Sequence, residues 1–188
     1  MENAALVLMA VELLGAYGYR LPGDAVQAGM LGVRWPGRFQ RVRPAQGPTL
    51  LFDGAHNPQA MHRFLQTLRE SPFRNAPKSF VFSAYEDKDY RAMGAMIAPH
   101  AERIYLSSLG RPRGASLSAL TGAFRGARAQ LVGGRSPQAA FRRALQETPG
   151  HGLVIVTGSL ALVGRLIKTW MPPPAGPSGV AKQEALCA

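Results

Sequence analysis

Cysteine is nearly missing: Cys187, beside the C-terminus, is the single one in 188 residues. One thiol excludes a disulfide framework and a zinc site built on paired cysteines, and it points to a reducing, cytoplasmic setting. Acidic residues are scarce as well, 11 Asp and Glu against 22 Lys and Arg, giving a formal net charge of +11. Such a field attracts anions: nucleotides, polycarboxylates, nucleic acid or lipid. The arginines are scattered, however, with small groupings only at Arg111/Arg113 and Arg142/Arg143. With no run that interleaves aromatic and basic residues, a nucleic-acid partner is not expected. Long apolar runs are missing too. Residues 4–14 are interrupted by Glu12 and fall far short of the ~20 residues a membrane span needs. The same stretch lacks the basic start and cleavage site of a signal peptide, so it reads as a buried helix, and no membrane partner is expected.

Two glycine fingerprints are absent. No Gly-x-Gly-x-x-Gly follows an early strand, which disfavours a dinucleotide oxidoreductase, and Gly133-Gly134 is not followed by Gly-Lys-Ser/Thr, so it is no P-loop. His62, His100 and His151 show no metal-ligand spacing with one another or with carboxylates, and no metal site is expected among them.

What the chain does hold is a 46% hydrophobic composition with 18% charged residues, enough for a sizeable core. The spacing predicts a helix from Asn3, as N-cap, to about Tyr17, and a second over residues 24–31 capped by Asp24. The first is apolar nearly all round, and one small neighbour is poor cover for it. After Trp35-Pro36-Gly37 short apolar runs alternate with helical patterns. Strands are predicted over residues 39–42, 50–53, 79–82, 103–106, 129–132 and 153–156. Helices are predicted from Asn57-Pro58, over 90–97, 116–124 and 136–147, and from Gly158-Ser159 to about Trp170. The order implies an α/β fold with a mostly parallel six-stranded sheet and helices on both faces. From Pro172 onward the Pro- and Gly-rich sequence suits a disordered tail, residues 172–188.

In an open parallel sheet, ligands bind beyond the carboxyl ends of the strands. Three strand-to-turn stretches are therefore candidates. In Asp53-Gly54-Ala55-His56-Asn57-Pro58, Asp53 ends a strand and suits ribose hydroxyls, while the helix start behind His56 favours an anion. Plain capping by Asp53 and Asn57, with His56 packed, explains the same residues. In Trp35-Pro36-Gly37-Arg38-Phe39, the planar fork of Arg38 suits phosphate. In Thr157-Gly158-Ser159-Leu160, amides and hydroxyls could hold a carboxylate, and a helix cap explains Ser159 equally well. Glu86-Asp87-Lys88-Asp89 reads as a solvated turn with Asp89 as a cap.

Taken in order, Asn3-Ala4-Ala5, Trp35-Pro36-Gly37-Arg38-Phe39-Gln40, Asp53-Gly54-Ala55-His56-Asn57-Pro58, Asp87-Lys88-Asp89 and Thr157-Gly158-Ser159-Leu160 resemble the C-terminal region of folylpolyglutamate synthase/dihydrofolate synthase, in the Mur ligase superfamily. The resemblance covers residues 3–170 or so and implies a Rossmann-like domain, residues 35–171, after a helical remnant of an ATPase domain, residues 1–34. It implies an ATP- and Mg²⁺-dependent ligase that adds L-glutamate to folate or dihydropteroate through an acyl phosphate. It gives Arg38 and His56 catalytic roles, Arg38, Asp53 and His56 to the nucleotide, and Ser159 to the glutamate side. The family's P-loop and Mg²⁺ ligands belong to an N-terminal domain outside these residues. The chain alone is therefore expected to be inactive and to depend on a separate ATPase domain or subunit. A Mur-type peptidoglycan-precursor ligase domain and a non-catalytic nucleotide- or polyglutamate-binding module are the competing readings.

Overall fold

A computed structural model describes residues 2–33, 35–110 and 112–170. Arg111, Cys187 and the proposed tail from Pro172 lie outside the described residues. The chain divides into two compact units, Met1–Pro36 and Gly37–Ala188.

The first unit holds α1 (Glu2–Ala16) and α2 (Gly23–Gly32). Two expected caps fall elsewhere: Asn3 lies inside α1, and α2 starts after Pro22, with Asp24 in its first turn. The Asp24 carboxylate instead accepts the neighbouring amide of Ala25 at 2.9 Å. Leu6, Met9 and Leu13 of α1 and Tyr17 just after it are exposed, so the apolar helix is left uncovered rather than buried, as the poor cover read in its sequence implies. A helix with so little polar surface has no face that water prefers.

The second unit is a six-stranded sheet in the order β1-β2-β6-β3-β4-β5. Its elements are β1 (Gln40–Val42), β2 (Thr49–Phe52), α3 (Pro58–Glu70), β3 (Lys78–Phe82), α4 (Tyr90–Ile97), β4 (Arg103–Leu106), α5 (Leu117–Ala123), β5 (Gln130–Gly133), α6 (Pro137–Glu147), β6 (Leu153–Thr157) and α7 (Leu160–Ile167). All neighbouring strands run parallel except β1 against β2. Helix starts follow the sequence closely: Asn57, Asp89, Ser116, Ser136 and Ser159 each accept an amide from the first turn behind them. Each such cap is worth ~1 kcal/mol.

Central β6 is buried along its whole length. Leu153 and Ile155 enter a core with Met61, Phe64, Met93 and Leu120, from α3, α4 and α5. Val154 and Val156 enter a second core with Phe141, Leu162 and Leu166, from α6 and α7. Alternation along the strand thus sends successive side chains to opposite layers. The helix after β2 therefore lies on one face and the helix after neighbouring β6 on the other. That reversal opens a crevice at the carboxyl ends of β2 and β6.

Candidate functional site at the β2 and β6 strand ends

The parallel pairing of β2 with β6 sets Phe52 opposite Val156, and the Asp53 amide extends the ladder to the Val156 carbonyl at 3.0 Å. Asp53 therefore stands just beyond β2 rather than in it. Past that point the connections stay tied: Gly158 N donates to Ala55 O at 3.0 Å, and Gly54 N donates to Gly37 O at 2.8 Å. The three stretches singled out in the sequence, separated by as much as the length of the domain, meet at one end of the sheet.

Glycine is required at two of these contacts. Gly37 has φ +75°, and a Cβ there would come 2.7 Å from Val163 Cγ1. Gly158 has φ +99°, and a Cβ there would press on Phe82 and the Ser83 carbonyl. Both positions use the left-handed freedom of glycine.

Asp53 sits at the centre. Its Oδ2 accepts the amide of Phe39 at 2.9 Å, and its Oδ1 accepts the amide of Ala55 at 2.9 Å. Burial pushes its carboxyl above the ordinary aspartate value, against the opposing pull of those two amides and of Arg38. Arg38 itself is exposed at the crest of the turn. Its neighbour Phe39 was expected to begin a strand but adopts φ +43°, the one positive value among described non-glycine residues. In this conformation its amide is held by the Asp53 carboxylate. Gly37 N is held in the same turn by Gln40 Oε1 at 2.7 Å.

His56 is half-buried, with Nδ1 2.9 Å from the Gly54 carbonyl. The partner is an acceptor, so Nδ1 carries the proton, and in the neutral ring Nε2 presents its lone pair. Ser159 is buried, and its Oγ accepts the Ala161 amide at 3.1 Å, capping α7. Thr157, the last residue of β6, is fully buried, and its Oγ1 has no hydrogen-bond partner among the described residues. Of the charged turn, Asp89 caps α4, and Asp87 pairs with Lys88 at 2.9 Å and Arg113 at 3.5 Å beyond β3.

Sequence reasoning gave Gln40 no role and named Thr157 only as part of a candidate carboxylate-holding turn, without its buried, unpaired hydroxyl. Glutamine beside an arginine turn gives no local signal, and an unpaired hydroxyl becomes visible only when its surroundings are known. Among the described residues no group of three His, Cys, Asp or Glu side chains could hold a metal ion. Asp53, the buried carboxylate of the crevice, has one amide on each oxygen. No cluster of acidic side chains among the described residues stands ready for a Mg²⁺ ion. No described helix is long and apolar enough to cross a membrane.

Comparison with known proteins identifies the family of this fold. The family model described as Mur ligase, glutamate ligase domain, matches residues 37–160. A dihydrofolate synthase/folylpolyglutamate synthase of Bacillus subtilis is 27% identical over 172 residues, covering 89% of this chain and 38% of the relative. The structure of Escherichia coli FolC in complex with DHPP and ADP superposes with a TM-score of 0.76 at 27% identity, covering 89% of this chain and 38% of that one. Mycobacterium tuberculosis folylpolyglutamate synthase complexed with ADP and AMPPCP gives 0.75 at 30% identity, covering 92% and 40%. The chain thus spans well under half the length of these relatives. It belongs to the Mur ligase glutamate-ligase domain family, with its similarity running to the C-terminal part of the folylpolyglutamate and dihydrofolate synthases.

Proposed function

We propose that this chain is the nucleotide-closing domain of an ATP-dependent ligase that joins L-glutamate to a folate or dihydropteroate. The observation that carries the reading is the meeting of the Arg38 turn, Asp53, His56 and the Thr157–Ser159 turn at the β2/β6 crevice. Relatives of this sequence are named for that synthesis, and solved relatives are complexed with ADP.

In the proposed reaction a substrate carboxylate oxygen attacks the γ-phosphorus of ATP, and the bond to the β-phosphate oxygen breaks to give acyl phosphate and ADP. The amine of glutamate then attacks the acyl carbon, inorganic phosphate leaves, and the nitrogen loses a proton. Charge spreads over the transferring oxygens, so an exposed guanidinium facing them lowers the barrier. Arg38 takes that part. Asp53 has lone pairs beyond its two amide bonds to accept from ribose hydroxyls. His56, oriented through Nδ1, offers Nε2 to the nucleotide and the incoming amine. Ser159 lines the glutamate side from the α7 start.

The 188 residues contain no Gly-x-x-x-x-Gly-Lys-Ser/Thr and no described metal site. The P-loop and its Mg²⁺ ligands would come from a separate ATPase domain, and α1 with α2 would belong with that domain. Incubation of this chain with ATP, Mg²⁺, L-glutamate and dihydropteroate or tetrahydrofolate is expected to yield no glutamylated product, while nucleotide binding remains detectable. Sustained turnover by the chain alone would overturn the dependence on a P-loop domain.

A further inference from the structure

We infer that Asp53 is a positioning residue: by holding the amides of Phe39 and Ala55 it fixes the turn that presents Arg38, and so governs phosphate affinity through Arg38. The inference rests on the proposed nucleotide reading of the crevice and adds a route by which Asp53 acts on it.

Arg38 has no rigid element of its own. It lies between Gly37, at φ +75°, and Phe39, at φ +43°. A bulky aromatic residue in the left-handed region persists only where its surroundings hold it there. The Gly37–Gln40 bond at 2.7 Å closes the turn on itself, and the Phe39 ring lies 5.9 Å from that of Phe64. The bond that reaches Phe39 N comes from Asp53, fourteen residues along the chain and past the end of β2. The same carboxylate, through its other oxygen, sets the Ala55 amide next to His56. One side chain therefore joins the arginine-bearing turn to the histidine-bearing turn. Arg38 is also close enough for its charge to act on Asp53. Release of the Phe39 amide removes the bond that ties the arginine-bearing turn to the end of β2, and Arg38 is then presented to the ligand less uniformly.

This role differs from ribose binding in what it predicts for ligands. Adenosine has the ribose but no phosphate, so the ratio of ATP to adenosine affinity isolates the phosphate contribution. Binding of both ligands is measured by calorimetry for wild type, Arg38→Ala, Asp53→Asn, Asp53→Glu and the Arg38→Ala/Asp53→Asn double variant. In asparagine an NH2 donor replaces one of the two acceptor oxygens, so one of the two amides is left facing a donor, and glutamate keeps the charge while displacing it by one methylene. The ratio is expected to fall about tenfold in Arg38→Ala, to a similar extent in both Asp53 variants, and no further in the double variant. Hydrogen exchange at Phe39 N is expected to quicken in Asp53→Asn while the Ile155 and Val156 amides stay protected, showing an intact sheet. If both Asp53 variants keep the wild-type ratio, with ATP and adenosine weakened in step, Asp53 acts on the ribose alone and this inference is wrong. An unchanged ratio in Arg38→Ala, or no binding of either ligand, would overturn the nucleotide reading together with it.

Discussion

Gly158 lies directly against Phe82: a Cβ on the glycine would come 2.5 Å from Phe82 Cε2, and 2.6 Å from the Ser83 carbonyl oxygen. With φ at +99°, alanine would meet both a clash and an unfavourable backbone conformation. Gly158→Ala is expected to destabilise the domain by ~3 kcal/mol, read as a lower denaturation midpoint in urea. Gly122 in α5 has open space around it, so Gly122→Ala should stabilise by ~0.5–1 kcal/mol through helix propensity. Equal effects of the two substitutions would contradict the packing described at the crevice.

Thr157 buries a hydroxyl that no described group satisfies. Replacing it by the nearly isosteric valine removes the unmet polar atom and keeps the shape. Thr157→Val is therefore expected to leave stability unchanged or raise it by ~1 kcal/mol. A loss of more than ~1 kcal/mol in chemical denaturation would mean that the hydroxyl has a partner, such as bound water.

Asp53 titrates above the ordinary aspartate value of 3.8 because burial outweighs its two amide bonds and Arg38. The folded state then holds its proton to higher pH than the unfolded chain, and stability falls as pH rises from the ordinary aspartate value of 3.8 through the folded pKa. That component of the slope should vanish in Asp53→Asn. Denaturation midpoints collected between acid and neutral pH, with carboxyl titration by NMR, check both the sign and the window. A carboxyl titrating below 3.8 would reverse the slope.

Both cores are built from residues beyond Pro36, such as Leu51, Phe80 and Ile155 on one face and Val81, Val154 and Leu166 on the other. A chain trimmed to residues 37–170 should retain cooperative thermal unfolding with a midpoint within a few degrees of the parent. It should also bind less hydrophobic dye, because Leu6, Met9, Leu13 and Tyr17 are removed. Loss of cooperative unfolding would show that the helical pair stabilises the sheet domain.

Much of this was legible in the sequence because local chemistry and tertiary structure agree. Asn57-Pro58, Ser116, Ser136 and Ser159 announce helix starts, and each caps in the structure. Short apolar runs between them locate the strands, and strand ends followed by polar turns locate the crevice. The failures come from contacts between distant residues. Phe39 has a strand former's side chain, yet its backbone is left-handed and its amide is held by the Asp53 carboxylate fourteen residues away. Asn3 and Asp24 are good capping residues that lie just inside their helices, where boundaries are decided by a turn or less. The antiparallel course of β1 is likewise a matter of pairing, which no local pattern carries.

The most direct measurement is glutamate incorporation by a chimera in which this chain replaces the matching C-terminal region of the Bacillus subtilis relative, which it covers to 38% of its length. Folding and ATP binding of the chimera are confirmed first. The expected result is ATP-dependent transfer of labelled L-glutamate to a folate or dihydropteroate acceptor, reduced about a hundredfold by Arg38→Ala. A folded, ATP-binding chimera that transfers no glutamate, or one whose rate ignores Arg38, would contradict the assignment of this domain to glutamate ligation.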